Sequence, residues 1–93
     1  MIRSFADKET ETLFRTGKSR RLPPDILRRA ALRLNQLERA IDINELRFPP
    51  ANRLEALQGD RSGQWSIRVN GQWRVCFRFV DGDVFDVHIT DYH

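Results

Sequence analysis

The chain ends in Asp91-Tyr92-His93, and His88 and His93 are its only histidines. An imidazole, with an ordinary pKa of about 6.5, is the side chain best suited to exchange protons near neutral pH. Beside that acid–base capacity stands an arginine excess. Sixteen Lys and Arg face thirteen Asp and Glu, and of the cations only Lys8 and Lys18 are lysines. A guanidinium offers a planar fork of donors that matches phosphate and carboxylate, whereas an ammonium is a mobile point charge. Proton transfer beside fixed arginines suits phosphate chemistry or an anionic partner. Cys76, the single cysteine, excludes an internal disulfide and a tetrathiolate zinc site, and nothing near it completes a nucleophile–base pair. There is no phosphate loop, metal-ligand cluster or dinucleotide fingerprint.

These groups must be positioned by 93 residues, enough to enclose one core, so a single domain over 1–93 is expected. The hydrophobic fraction of 40%, with six Phe and two Trp, excludes a disordered chain. No apolar run approaches the roughly 20 residues of a membrane span, and Met1-Ile2-Arg3-Ser4-Phe5 does not open a signal peptide. A cytoplasmic location is the expectation.

Met1 to Phe5 reads as a short strand. Asp7 is a helix N-cap and Gly17 a C-cap, which predicts a first helix ending near Arg15. Lys18-Ser19-Arg20-Arg21 is a basic connection. Pro23-Pro24-Asp25 opens a second helix, with Leu27, Ala30, Ala31, Leu34, Leu37 and Ile41 as its apolar stripe and Arg28, Arg29, Arg33 and Arg39 largely off it. Phe48-Pro49-Pro50 stops the helical period. From Asn52 onward the period is two.

Trp65, Ile67 and Val69 alternate with Ser66 and Arg68. Trp73, Val75, Phe77 and Phe79 alternate with Arg74, Cys76 and Arg78, and Phe85, Val87 and Ile89 with Asp86, His88 and Thr90. Asn70-Gly71 and Asp81-Gly82 are hairpin signals. Two-residue turns would mix the faces, so three-residue connections with a bulge at the loop are expected, pairing Val69 with Trp73, Ile67 with Val75, Phe79 with Phe85 and Phe77 with Val87. One sheet face is then apolar and ready for the helices. The other carries Arg68, Arg74, Arg78, Asp86, His88 and Thr90, with Tyr92 in phase, so that a phosphate fits between Arg68 and Arg74. For Arg78 a cross-strand pair with Asp86 is the expectation.

Arg53-Leu54-Glu55-Ala56-Leu57-Gln58-Gly59-Asp60-Arg61, Trp65 to Val69, Gln72 to Phe77 and the terminal Asp91-Tyr92-His93 together resemble the HigB and GraT toxins of the RelE superfamily. Met1 to Phe5 and Leu13-Phe14 before Gly17 extend the resemblance over nearly the whole chain. It implies a small α+β RelE-like domain ordered β-α-α-β-β-β, with two helices on one face of a mainly antiparallel sheet. It implies a toxin of a type II toxin–antitoxin system, a metal-independent, cofactor-free endoribonuclease that cuts messenger RNA in the ribosomal A site. The implied partners are the 70S ribosome and a HigA-like helix-turn-helix antitoxin, through which alone DNA would be reached.

Carried over residue by residue, the resemblance makes Arg74, Asp91, Tyr92 and His93 the catalytic set. Position alone would make His93 an exposed terminal residue. Arg61 and Arg68, with Arg20 and Arg21 in the basic connection, are the RNA-binding candidates; for Arg61 a loop salt bridge with Asp60 is an equal alternative. Arg20 and Arg21 belong with Lys18, Arg28, Arg29 and Arg33 to a nonspecific basic surface towards ribosomal RNA, although for each of these taken singly a solvated charge is the favoured reading. Glu55 and Gln58 stand where some relatives carry histidine and lysine, so this chain must work without those groups. Two other readings remain at this level: a nonenzymatic ParE-like inhibitor of DNA gyrase on the same fold, and a nonenzymatic RNA-binding protein.

Overall fold

A computed structural model describes residues 1–61 and 63–91. Asp7 caps helix α1 (Lys8–Thr16) by accepting from the Thr10 amide at 2.7 Å, and Gly17 ends it with a left-handed φ of 76°. A short 3-10 turn, Pro24–Ile26, leads into α2 (Leu27–Arg39). Two further 3-10 segments, Ile43–Arg47 and Pro50–Asn52, carry the chain to the sheet. Strands β1 (Glu55–Ala56), β2 (Gln64–Arg68), β3 (Trp73–Val80) and β4 (Asp83–Asp91) follow as an antiparallel meander in that spatial order.

Both helices lie on the apolar sheet face. Leu13 from α1 and Ala30, Leu34 and Leu37 from α2 bury against Ile67, Val69, Val75, Phe77, Val84, Val87 and Ile89. Trp65 and Trp73 pack against this core, as their parity requires. Ile41 does not join it: α2 stops at Arg39, and Ile41 is 78% exposed. The expected first strand is reduced to bridges, Ile2 with Val84 and Phe5 with Val87, which place the N-terminal segment parallel to β4.

The β2–β3 register is as expected, Ile67 opposite Val75 and Arg68 opposite Arg74, with the Val69 amide donating to the Trp73 carbonyl at 2.9 Å. The β3–β4 register reaches the same end by a different route. Val80 pairs with Asp83, so Asp81-Gly82 is a two-residue turn with φ of 51° and 84°. Phe79 therefore opposes Val84, not Phe85. Farther along, Cys76 pairs with His88 and Arg78 with Phe85, so two steps on β3 oppose three on β4. The extra residue is a bulge within the strand, where Asp86 has a φ of 55°. It reverses the parity of β4, so Val84 faces the core and Phe85 is turned to the side of Arg78.

An aspartate tolerates the left-handed region better than a β-branched residue does. Urea unfolding is expected to find Asp86→Val about 1–2 kcal/mol less stable than Asp86→Gly, which satisfies the same backbone without strain. Equal stabilities would mean that the bulge holds no backbone strain.

Candidate active site

The sheet face turned away from the helices carries Ser66 and Arg68 on β2, Arg74, Cys76 and Arg78 on β3, and His88 and Thr90 on β4. Arg74 lies at its centre and is only 7% exposed. Burying a cation is expensive unless protein acceptors replace its water. Arg74 Nε donates to Ser66 Oγ at 2.8 Å, and Nη2 donates to the Arg53 carbonyl at 2.6 Å and the Ser66 carbonyl at 3.3 Å. Glu55 Oε2 stands 3.9 Å from the same Nη2. Arg53 supplies its carbonyl from a left-handed conformation, φ 44°, as it closes the Pro50–Asn52 turn. The direction of the guanidinium is therefore preset by backbone and by a buried serine.

Arg74 lines an open cavity of about 320 Å³ together with Arg53, Glu55, Arg68, Asn70 and Gly71. Glu55 is the one carboxylate among these lining residues. Asp91 is not on this face. It pairs with Trp73 and alternates with Thr90, which opposes Arg74, and its Oδ2 accepts from Gln72 Nε2 at 3.0 Å. Tyr92 and His93 lie outside the described residues.

Arg61 takes a partner that neither sequence alternative named. Its Nη2 is 2.8 Å from His88 Nε2, and His88 Nδ1 is 3.0 Å from the Asp86 carbonyl. A guanidinium can only donate, so Nε2 is the acceptor and the imidazole is the neutral Nδ1–H tautomer. Cys76, across the strand from His88, is fully buried, and burial pushes its thiol up while Arg61 and Arg74 pull it the other way. Arg78 makes the expected pair with Asp86, 3.8 Å apart. Arg20 and Arg21 are elsewhere: they line a separate cavity with Glu9, Thr12 and Leu27, and Arg21 Nε lies 3.6 Å from Glu9 Oε1.

A sequence model described as the RelE-like toxin of type II toxin–antitoxin system HigB matches residues 3–93. The chain belongs to the HigB-like toxin family. It is 38% identical over 93 residues to "Endoribonuclease HigB" of Proteus vulgaris, covering all of both chains. It is 39% identical over 90 residues to "Toxin HigB-1" of Vibrio cholerae, covering 96% of this chain and 95% of that one. The fold is RelE-like. The crystal structure of YafQ from Escherichia coli superposes with a TM-score of 0.57 at 16% identity, covering 98% of this chain and 91% of YafQ. The YoeB/ParE toxin from Agrobacterium tumefaciens gives 0.51 at 21% identity, covering 99% and 96%. As a type II toxin the HigB-like chain has an antitoxin for a partner.

Ser66 and Arg53, which orient Arg74 in this HigB-like toxin, are not candidates from sequence. Strand parity places Ser66 on the polar face with Arg74, but only the left-handed turn at Arg53 brings the carbonyl there. Two measurements check the site. Nitrogen-15 NMR of the ring at about pH 8 is expected to show His88 as the Nδ1–H tautomer; an Nε2–H signal would exclude the Arg61 contact. Because the folded thiol of Cys76 is harder to ionise, the unfolded chain loses its proton first as pH rises. Wild-type stability should then fall relative to Cys76→Ala above about pH 8.5, read from urea midpoints; a pH-independent difference would refute it.

Proposed function

We propose that this HigB-like toxin is an endoribonuclease that cuts messenger RNA in the ribosomal A site, with residues 1–93 acting as one toxin domain in the cytoplasm. The preset, nearly buried Arg74 on the wall of a cation-lined cavity carries the reading, and the name of the Proteus vulgaris relative agrees with it.

Cleavage needs a proton removed from the 2′-hydroxyl, charge stabilised on the pentacoordinate phosphate, and a proton delivered to the 5′-oxygen. The attacking 2′-oxygen forms a bond to phosphorus as the bond to the 5′-oxygen breaks, leaving a 2′,3′-cyclic phosphate and a 5′-hydroxyl. Arg74 meets the second requirement. A donor whose direction is fixed before substrate arrives stabilises developing charge without reorganising in the transition state. Tyr92 and His93 take the proton and positioning roles, and Asp91, held off the Arg74 face beside Gln72, orients that terminal pair or takes up a proton. Arg68 and Arg61 hold RNA on the same face. Arg20 and Arg21 contribute a more distant basic surface, with binding weakened by salt. The chemistry uses no metal, and a HigA-like helix-turn-helix antitoxin silences the toxin.

Primer extension on a defined messenger RNA, with and without programmed 70S ribosomes, tests this. Wild type should give ribosome-dependent cuts. Arg74→Lys, which keeps charge and loses the fork, should slow cutting about 10²–10³-fold. A chain lacking Tyr92 and His93 should not cut. Growth arrest without cuts would overturn the nuclease and favour gyrase inhibition.

A further inference from the structure

Helix α2 meets the β2–β3 hairpin through two arginines one turn apart. Arg33 Nε donates to the Arg68 carbonyl at 2.9 Å, and Arg29 Nη1 to the Val69 carbonyl at 3.3 Å. Together they wall a cleft of about 480 Å³, also lined by Ala51, Arg68, Val69, Asn70 and Gly71. Arg68, Asn70 and Gly71 line the Arg74 cavity as well, so the two spaces share the hairpin as a common wall. A Cβ built on Gly71 would come 3.5 Å from Arg68 Nη2, which shows the side chain folded along the hairpin between them.

The charge in this cleft is not offset. Among the described residues Arg29, Arg33 and Arg68 have no carboxylate within 4.0 Å, and the Arg68 guanidinium has no hydrogen-bond acceptor. Each of the two helix arginines spends a single nitrogen on a carbonyl. Burial, and after it the charge of Arg29, make the Arg33 cation harder to hold. Packed guanidiniums without a counter-charge, with donors still to satisfy, match a phosphate oxygen in geometry and sign.

We propose that the Arg29–Arg33–Arg68 cleft is a second phosphate subsite, which takes the backbone phosphate of a nucleotide flanking the scissile one. Arg68 serves both spaces, so one single strand runs from the Arg74 cavity over the hairpin and into the cleft. This rests on the nuclease reading. The shared wall favours RNA over an acidic protein segment, because a polyanion in the first cavity continues into the second without leaving the surface.

The test compares wild type, Arg29→Gln/Arg33→Gln, Arg29→Gln, Arg33→Lys and a control matched in charge to the single Arg29→Gln change, Arg15→Gln, which lies on α1 and is paired with Glu11. On programmed ribosomes the double variant is expected to raise KM about tenfold or more with kcat nearly unchanged, as removal of charge-assisted hydrogen bonds away from the reacting atoms requires. Arg33→Lys should recover much of the affinity, and Arg15→Gln should behave as wild type. Binding of a labelled single-stranded RNA, followed by anisotropy against salt, should show a slope shallower by about 0.7 for each phosphate that is no longer neutralised. That slope does not depend on cleavage, so it separates failure of the subsite from failure of the nuclease reading. Unchanged KM and slope would overturn the proposal, as would a variant that binds RNA normally and fails only to bind its antitoxin. If the double variant melts early, Arg29→Gln alone, which leaves the Arg33 hydrogen bond in place, decides the matter.

Discussion

The open sheet face is organised by the cost of burying Arg74. A guanidinium withdrawn from water must find its acceptors within the protein, and those acceptors come from parts of the chain distant in sequence. Ser66 offers its hydroxyl only because β2 and β3 are in the observed register. Arg53 offers its carbonyl only because the Pro50–Asn52 turn ends in a left-handed residue. A slip of one residue in β2–β3 would send Arg74 into the apolar core and Val75 into the cavity. The packing of the helices and the orientation of the candidate catalytic cation are thus consequences of the same alignment.

That alignment is supported at two places by α2. Beneath the sheet, Leu34 and Leu37 of α2 join the core formed with Ile67, Val75 and Phe77. At its end, Arg29 and Arg33 of the same helix hold the carbonyls of the residues leading into the hairpin. The helix therefore ties down the strand that presents Arg68. The face of α2 that reads as solvated in sequence has a structural task, and its remaining donors look toward the cavity region.

Much of this is legible in the chain because it follows local rules. The caps at Asp7 and Gly17, the Ile67–Val75 pairing and the Arg78–Asp86 contact come from turn chemistry and alternation within short spans. What local rules miss has a common cause. Alternation in the last strand presumes an unbroken period of two, whereas Asp86 inserts a bulge and exchanges Phe85 for Val84 on the core face. Nothing in the sequence around an aspartate signals that conformation. Arg61 and His88 are 27 residues apart, and Arg33 and Arg68 are 35 apart, so no local pattern reports their contacts. Ile41 continues the helical spacing, but α2 ends before it, and a periodic residue past a helix end loses its face.

The parallel pairing of the first residues with the last strand has a consequence for the order of assembly. Ser4 Oγ accepts from the Asp86 amide across 82 residues, beside the bridges of Ile2 to Val84 and Phe5 to Val87. Contacts of such long separation must close the largest loop, whereas the β2–β3 and β3–β4 hairpins close over a few residues. Folding is then expected to form the meander that carries Arg74 before the amino-terminal segment docks along its outer edge. The same segment occupies backbone groups of β4 that would otherwise offer a pairing edge to another chain, so the last contact to form is also the one that covers that edge of the sheet.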